Sequence, residues 1–321
     1  MRIRMTQRAF VLSGGGNRGP LQVGAMKALL ERGIEPDFLV GTSAGAINAV
    51  AFAVNPTLDG VERLAAAWRR VRRADIYPGN LFTILWRLIT RQDSLFDGSG
   101  LRRVLQAHLP HGVRTFGDLQ RPCYVTAADL RTQRLILFGE DPSAPLLEAV
   151  LASASVPVIH PPVRFRNMQL VDGGVVAVVP ITIAIEKGAQ ELYVLDLSFS
   201  PQVLPPRRGL AEIAMTAYQT LLSEQTMDDL YDALQSPVTV HHICLTAFRE
   251  LSFLDFSKTA QMLEAGYEAM RRYLEDPRPN QVCEATAEGL RTLIAQVIPG
   301  GGRGYIPPRR RRLIHLQAPK G

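Results

Sequence analysis

Short apolar runs recur along the chain, separated by stretches with helical spacing. Ala9 to Leu12, Asp37 to Val40, Pro122 to Ala128, Leu135 to Phe138, Met168 to Val171, Glu191 to Leu197 and Val238 to Cys244 read as strands. From Pro20, a residue pre-organised for a first helical turn, Leu21, Ala25, Ala28 and Leu29 share one helical face. Ala44 to Val54 is all Ala, Gly, Ile, Val and Phe apart from Asn48, as in a buried helix. Leu81 to Ile89 is apolar nearly all round, carries Trp86 and is flanked by arginines. That pattern suits a buried core helix, the default, or a cap that meets lipid. Strands alternating with helices predict an α/β fold, a three-layer α/β/α arrangement with a mostly parallel central sheet.

Three glycine-rich segments interrupt this pattern where chemistry is expected. Gly41-Thr42-Ser43-Ala44-Gly45 lies between a strand and a helix. Small neighbours there permit a sharp, strained turn that presents the Ser43 hydroxyl, a nucleophile elbow. Ser13-Gly14-Gly15-Gly16-Asn17-Arg18-Gly19 sits between the first strand and the first helix. Backbone N–H groups exposed at such a place form an anion nest, fit for a phosphate or for the oxyanion of an attacked ester. Gly14, Gly16 and Gly19 also match the dinucleotide pattern GxGxxG. The acidic residue that pattern needs belongs at the end of the second strand, whereas Asp37 stands at its beginning. The third segment is Asp172-Gly173-Gly174, by itself a common turn and, beside an elbow and a nest, a candidate base.

In this order the segments resemble the patatin-like phospholipase family. Gly14 to Gly19 is similar to its GGGxRG oxyanion loop, Gly41 to Gly45 to its GxSxG elbow, and Asp172 to Gly174 to its DG[G/A] motif. Asp97 to Leu105, Ala152 to Pro157 with Pro161-Pro162, and Asp255 to Ser257 followed by Glu264 to Tyr267 also resemble stretches of bacterial members, so the likeness runs from about Ala9 to about Leu274. It implies a serine carboxylic-ester hydrolase acting on lipid, of phospholipase A or lysophospholipase type. It further implies an acyl-enzyme on Ser43, Asp172 as base in a Ser-Asp dyad, and an oxyanion hole within Gly14, Gly15, Gly16, Asn17, Arg18 and Gly19. Gly41, Gly45, Gly173 and Gly174 serve as elbow and acid-motif glycines, and no metal or cofactor is implied. The chain departs from the family between Asp172 and Pro180: Val175 to Val179 stand where an asparagine is common, which implies weaker support around Asp172.

A triad is disfavoured by the sequence itself, since only two strands precede Ser43 and a triad elbow follows several. None of His108, His111, His160, His241, His242 and His315 has a setting of glycines, and His241 or His242 is the nearest to a triad partner. Arg18 is the fixed charge of the nest, able to orient it, balance Asp172 or hold a lipid phosphate.

Charge and cysteines complete the picture. The formal charge of +6 resides entirely in the stretch from Gly300, with Arg303, Arg309 to Arg312 and Lys320 and no acidic residue. Residues 1–299 are therefore expected to form the hydrolase domain and 300–321 a basic, disordered tail. That tail, or the Leu81 to Ile89 segment, is a candidate peripheral membrane contact, and no specific nucleic-acid partner is expected. No secretory signal or run of 18 apolar residues occurs in the chain. Cys123, Cys244 and Cys283, odd in number and widely spaced, read as buried free thiols in a reducing cytoplasm, not as a disulfide or a zinc site.

Overall fold

The computed structural model describes residues 6–198, 226, 229–230 and 232–283. Its strands are β1 (Arg8–Leu12), β2 (Phe38–Gly41), β3 (Cys123–Asp129), β4 (Arg134–Phe138), β5 (Val163–Phe165), β6 (Met168–Asp172), β7 (Glu191–Asp196) and β8 (Thr239–Cys244). They form one sheet in the order β5-β6-β3-β2-β1-β7-β8, with β4 also pairing with β3. The helices are α1 (Gly19–Glu31), α2 (Ala44–Val54), α3 (Leu58–Arg70), α4 (Arg73–Ile76), α5 (Leu81–Ile89), α6 (Ser99–His108), α7 (Leu146–Ser153), α8 (Gly174–Ala177), α9 (Ile181–Glu186) and α10 (Thr259–Glu275).

Parallel pairing runs through β3, β2, β1, β7 and β8, while β4, β5 and β6 join antiparallel. The sheet is thus mixed: its parallel centre follows the hydrophobic pattern, and one edge does not. The apolar run of β1 shows why a parallel centre is legible. Ala9 and Val11 pack with Val40, Val194, Ile181 and Ala184 on one face, whereas Phe10 and Leu12 pack with Leu21, Met26, Ala49 and Met262 on the other. A strand covered on both sides needs apolar residues at every position, and each such fully buried side chain contributes roughly 1.5–3 kcal/mol. The three-residue β5, by contrast, is too short to show a period. It exists because the turn after Phe165 folds it back onto β6, Val163 opposite Leu170.

Two expectations are corrected. The Leu81 to Ile89 segment is a helix, α5, and not a core helix: Phe82 is 81% and Trp86 66% exposed. Asn80 caps it, accepting from the Thr83 amide, and Arg87 ties it back to Ser94. The cysteines are not three free thiols. Cys244 and Cys283 form a disulfide, and Cys123 is free and buried. Sequence spacing hid the pair, since a segment far along the chain returns beside β8. The Asn280 amide donates to the Val240 carbonyl, and Gln281 bridges to His241. Titration of the denatured, unreduced protein with a thiol reagent should therefore count one thiol and, after reduction, three. Three without reduction would overturn the pairing. The basic tail and the 299/300 boundary lie outside the described residues.

Candidate active site

Leu12 of β1 is in register with Gly41 of β2 and Leu195 of β7, so three parallel strands end together. The glycine nest leaves β1 there, and the elbow leaves β2. Ser43 caps α2 with φ 56 and ψ −121, a left-handed conformation that costs a non-glycine residue about 1–3 kcal/mol. Surrounding bonds hold it there. The Ser43 amide donates to Ser153 Oγ at 2.9 Å, and the Gly45 amide to the Thr42 carbonyl at 2.8 Å. Thr42 Oγ1 donates to the Ala177 carbonyl at 2.8 Å, so the proton in its 2.7 Å bond with Thr126 Oγ1 comes from Thr126. A Cβ on Gly45 would fall 2.1 Å from the Leu12 carbonyl oxygen. Only glycine lets the first turn of α2 sit so close to β1.

Asp172 ends β6, opposite Ala127 of β3. Its amide donates to the Ser155 carbonyl at 2.9 Å and its Oδ1 accepts from the Gly174 amide at 2.7 Å. The Ser43 side chain lies close enough to the same carboxylate to favour its charged form. Burial raises the Asp172 carboxyl to about 6, with Ser43 and the Gly174 amide pulling the other way. Desolvation disfavours the anion and so strengthens it as a base. The stretch after Asp172 is tied to the nest and the elbow. The Val178 carbonyl accepts from the Gly14 amide at 2.9 Å, beside the Thr42 bond to the Ala177 carbonyl.

Within the nest the residues divide by what they touch. A Cβ on Gly14 would lie 3.4 Å from the Ser43 Cβ, so the loop abuts the serine. The amides of Gly15 and Gly16 have no partner among the described residues, whereas that of Gly14 is committed to Val178. Asn17 turns away, its Nδ2 donating to the carbonyls of Ser252 and Asp255. Gly19 opens α1, and its carbonyl accepts from Asn48 Nδ2 at 3.0 Å. Arg18 faces Asp196, not Asp172. Burial lowers its guanidinium against the attraction of Asp196, and its Nη1 has no hydrogen-bond partner. Arg249 lies near enough to repel it, is itself lowered to about 10 by burial, and has an unpartnered Nε.

The histidines are engaged elsewhere. His242 Nε2 pairs with Asp196 Oδ2 at 3.0 Å, and its Nδ1 accepts from the Cys283 amide at 3.4 Å. His241 lies between Tyr273 Oη at 2.8 Å and Glu191 Oε1 at 3.3 Å. His160 stacks on Tyr77, and burial lowers its imidazole to about 4. His108 Nδ1 donates to the Val104 carbonyl and His111 is exposed, while His315 lies outside the described residues. Asp37 accepts from the Arg8 amide where β1 begins, at the opposite end of the sheet from the nest, so it cannot meet a ribose held there. Ser153 and Arg249 were not singled out by sequence reasoning. The small-residue run Ala152 to Ser155 was the available sign of the first; Arg249 left none.

Comparison with known proteins finds relatives over most of the chain. The profile of the family described as patatin-like phospholipase matches residues 10–185. An uncharacterized NTE family protein of Mycobacterium tuberculosis is 28% identical over 291 residues, covering 85% of this chain and 47% of that protein. Patatin-like phospholipase domain-containing protein 7 of Rattus norvegicus is 29% identical, covering 59% of this chain and 13% of its own. The chain thus spans about half, or far less, of these relatives. Among solved structures, VipD from Legionella pneumophila aligns over 84% of this chain and 67% of its own, at 16% identity and a TM-score of 0.48.

Proposed function

Because the chain belongs to the patatin-like phospholipase family, we propose that it is a lipid acyl hydrolase working through a Ser43-Asp172 dyad. The observation that carries this reading is Ser43, held at a strained elbow, acting on the buried carboxylate of Asp172. Asp172 takes the hydroxyl proton as Ser43 Oγ attacks the ester carbonyl. The negative charge that develops on the carbonyl oxygen falls to the amides of Gly15 and Gly16, each such donor being worth about 3–4 kcal/mol. Asp172 then returns the proton to the departing alcohol, leaving an acyl-enzyme. A water, deprotonated by Asp172, attacks that ester and releases the fatty acid, and the proton passes back to Ser43.

The substrate reading is a phospholipid or lysophospholipid. Arg18 and Arg249 support it, because two half-buried guanidiniums with unpartnered N–H groups beside the nest suit a phosphate diester. Labelling with a fluorophosphonate followed by peptide mapping tests the assignment. A single adduct on Ser43 is expected; an adduct elsewhere, or none, would sink it.

A further inference from the structure

Helix α5 is amphipathic in the wrong sense for a protein interior. Phe82, Leu85, Trp86 and Ile89, spaced i, i+3, i+4 and i+7, are 81%, 52%, 66% and 68% exposed, and Leu88 beside them is 59% exposed. The one charge on the helix, Arg87, turns inward, its Nε donating to the Ser94 carbonyl at 2.8 Å. An apolar stripe this large on an outer surface marks an interaction site. Nine residues extend about 13 Å, too short to cross a bilayer, which takes about 20, and right for lying in its surface.

The charge around the helix identifies the surface. Residues 69–93 hold six arginines against two aspartates, in a chain whose residues 1–299 carry equal numbers of basic and acidic side chains. Arg69, Arg70, Arg72, Arg73 and Arg91 are exposed, and none has an ion-pair partner among the described residues. The patch also leads to the site. After α5 the Leu95 and Phe96 amides donate to the Val158 and Ile159 carbonyls, in the loop that begins at Ser155, the partner of the Asp172 amide. Val158 on that loop is 63% exposed, and Phe253, edge-on to Tyr77, is 45% exposed.

The geometry points to α5 and its flanking arginines as the docking surface for an anionic lipid bilayer, apolar side chains entering among the acyl tails and guanidiniums meeting the headgroups. This rests on the hydrolase reading for its purpose, and its test is independent of it. The chain has two tryptophans, and Trp68 is buried with its Nε1 donating to Asn48, so a change in emission on membrane contact reports Trp86.

The full chain should show a blue shift with vesicles of phosphatidylcholine and phosphatidylglycerol, smaller at high salt and smaller still with phosphatidylcholine alone. The double variant Phe82→Gln/Ile89→Gln should bind those vesicles at least tenfold more weakly, with the same circular dichroism and the same turnover of a soluble short-chain ester. Unchanged Trp86 emission while the protein still sediments with vesicles would assign binding to the basic tail and overturn the proposal. So would equal binding by the double variant, or self-association that buries Trp86 without lipid. Vesicle binding without ester turnover would count against the hydrolase reading alone.

Discussion

Ser43→Ala lowers turnover of a short-chain nitrophenyl ester by about 10⁴-fold or more, while the thermal midpoint stays almost unchanged. The first outcome follows from the acyl-enzyme route, since without the hydroxyl no covalent intermediate forms and what remains is the binding and oxyanion contribution. A loss of 10⁴ corresponds to about 5.5 kcal/mol of activation free energy. The second outcome follows because the backbone bonds from Ser43 to Ser153 and from Ile47 to Ser43 persist in alanine. Steady-state kinetics with a melting curve on the same sample decides the matter. A variant that retains a tenth of wild-type turnover is not missing its nucleophile.

Asp172→Asn is expected to be as inactive as Ser43→Ala and yet more stable than wild type above neutrality. Asparagine keeps the shape but cannot accept the proton, and a comparable change in a serine hydrolase costs about 10⁴. Unfolded, an aspartate titrates near 3.9; folded, Asp172 titrates at about 6. The folded state therefore binds the proton more tightly, a contribution present in full below pH ~4 and lost as pH rises through 6. At pH 8 wild type carries a buried charge that asparagine removes, worth on the order of 3 kcal/mol. Melting curves at pH 4 and pH 8 should show the variant's advantage only at the higher value. A lower midpoint at pH 8 would mean Asp172 holds the fold together rather than storing a base.

The same titration governs activity. Wild-type kcat/KM should fall tenfold per pH unit below about 6 and level off above it. His242→Gln, which keeps a donor for Asp196, should retain most activity. Its loss, with the fold intact, would replace the dyad by a triad.

Local pattern carried much of this protein. The continuous apolar runs of β1 and β7 announce strands buried on two faces, because the side-chain period of a strand is written directly into neighbouring residues. The glycine at Gly41 is equally legible, since a Cβ there would strike the Gly45 carbonyl one turn away. Each of these features depends on residues close in sequence.

What only the tertiary structure decided depends on residues brought together from afar. Ser43 meets Asp172 because β6 runs antiparallel to β3 and ends opposite Ala127 beside the elbow. Arg249 reaches the neighbourhood of Arg18 because Asn17 holds the segment containing Ser252 and Asp255. Cys283 finds Cys244 because its segment returns along β8. The fate of α5 was undecidable from its residues for the same reason: an apolar nine-residue helix is core or surface according to whether other elements cover it. Sequence period sets how a segment folds on itself, whereas burial and partnership are properties of the whole packed chain.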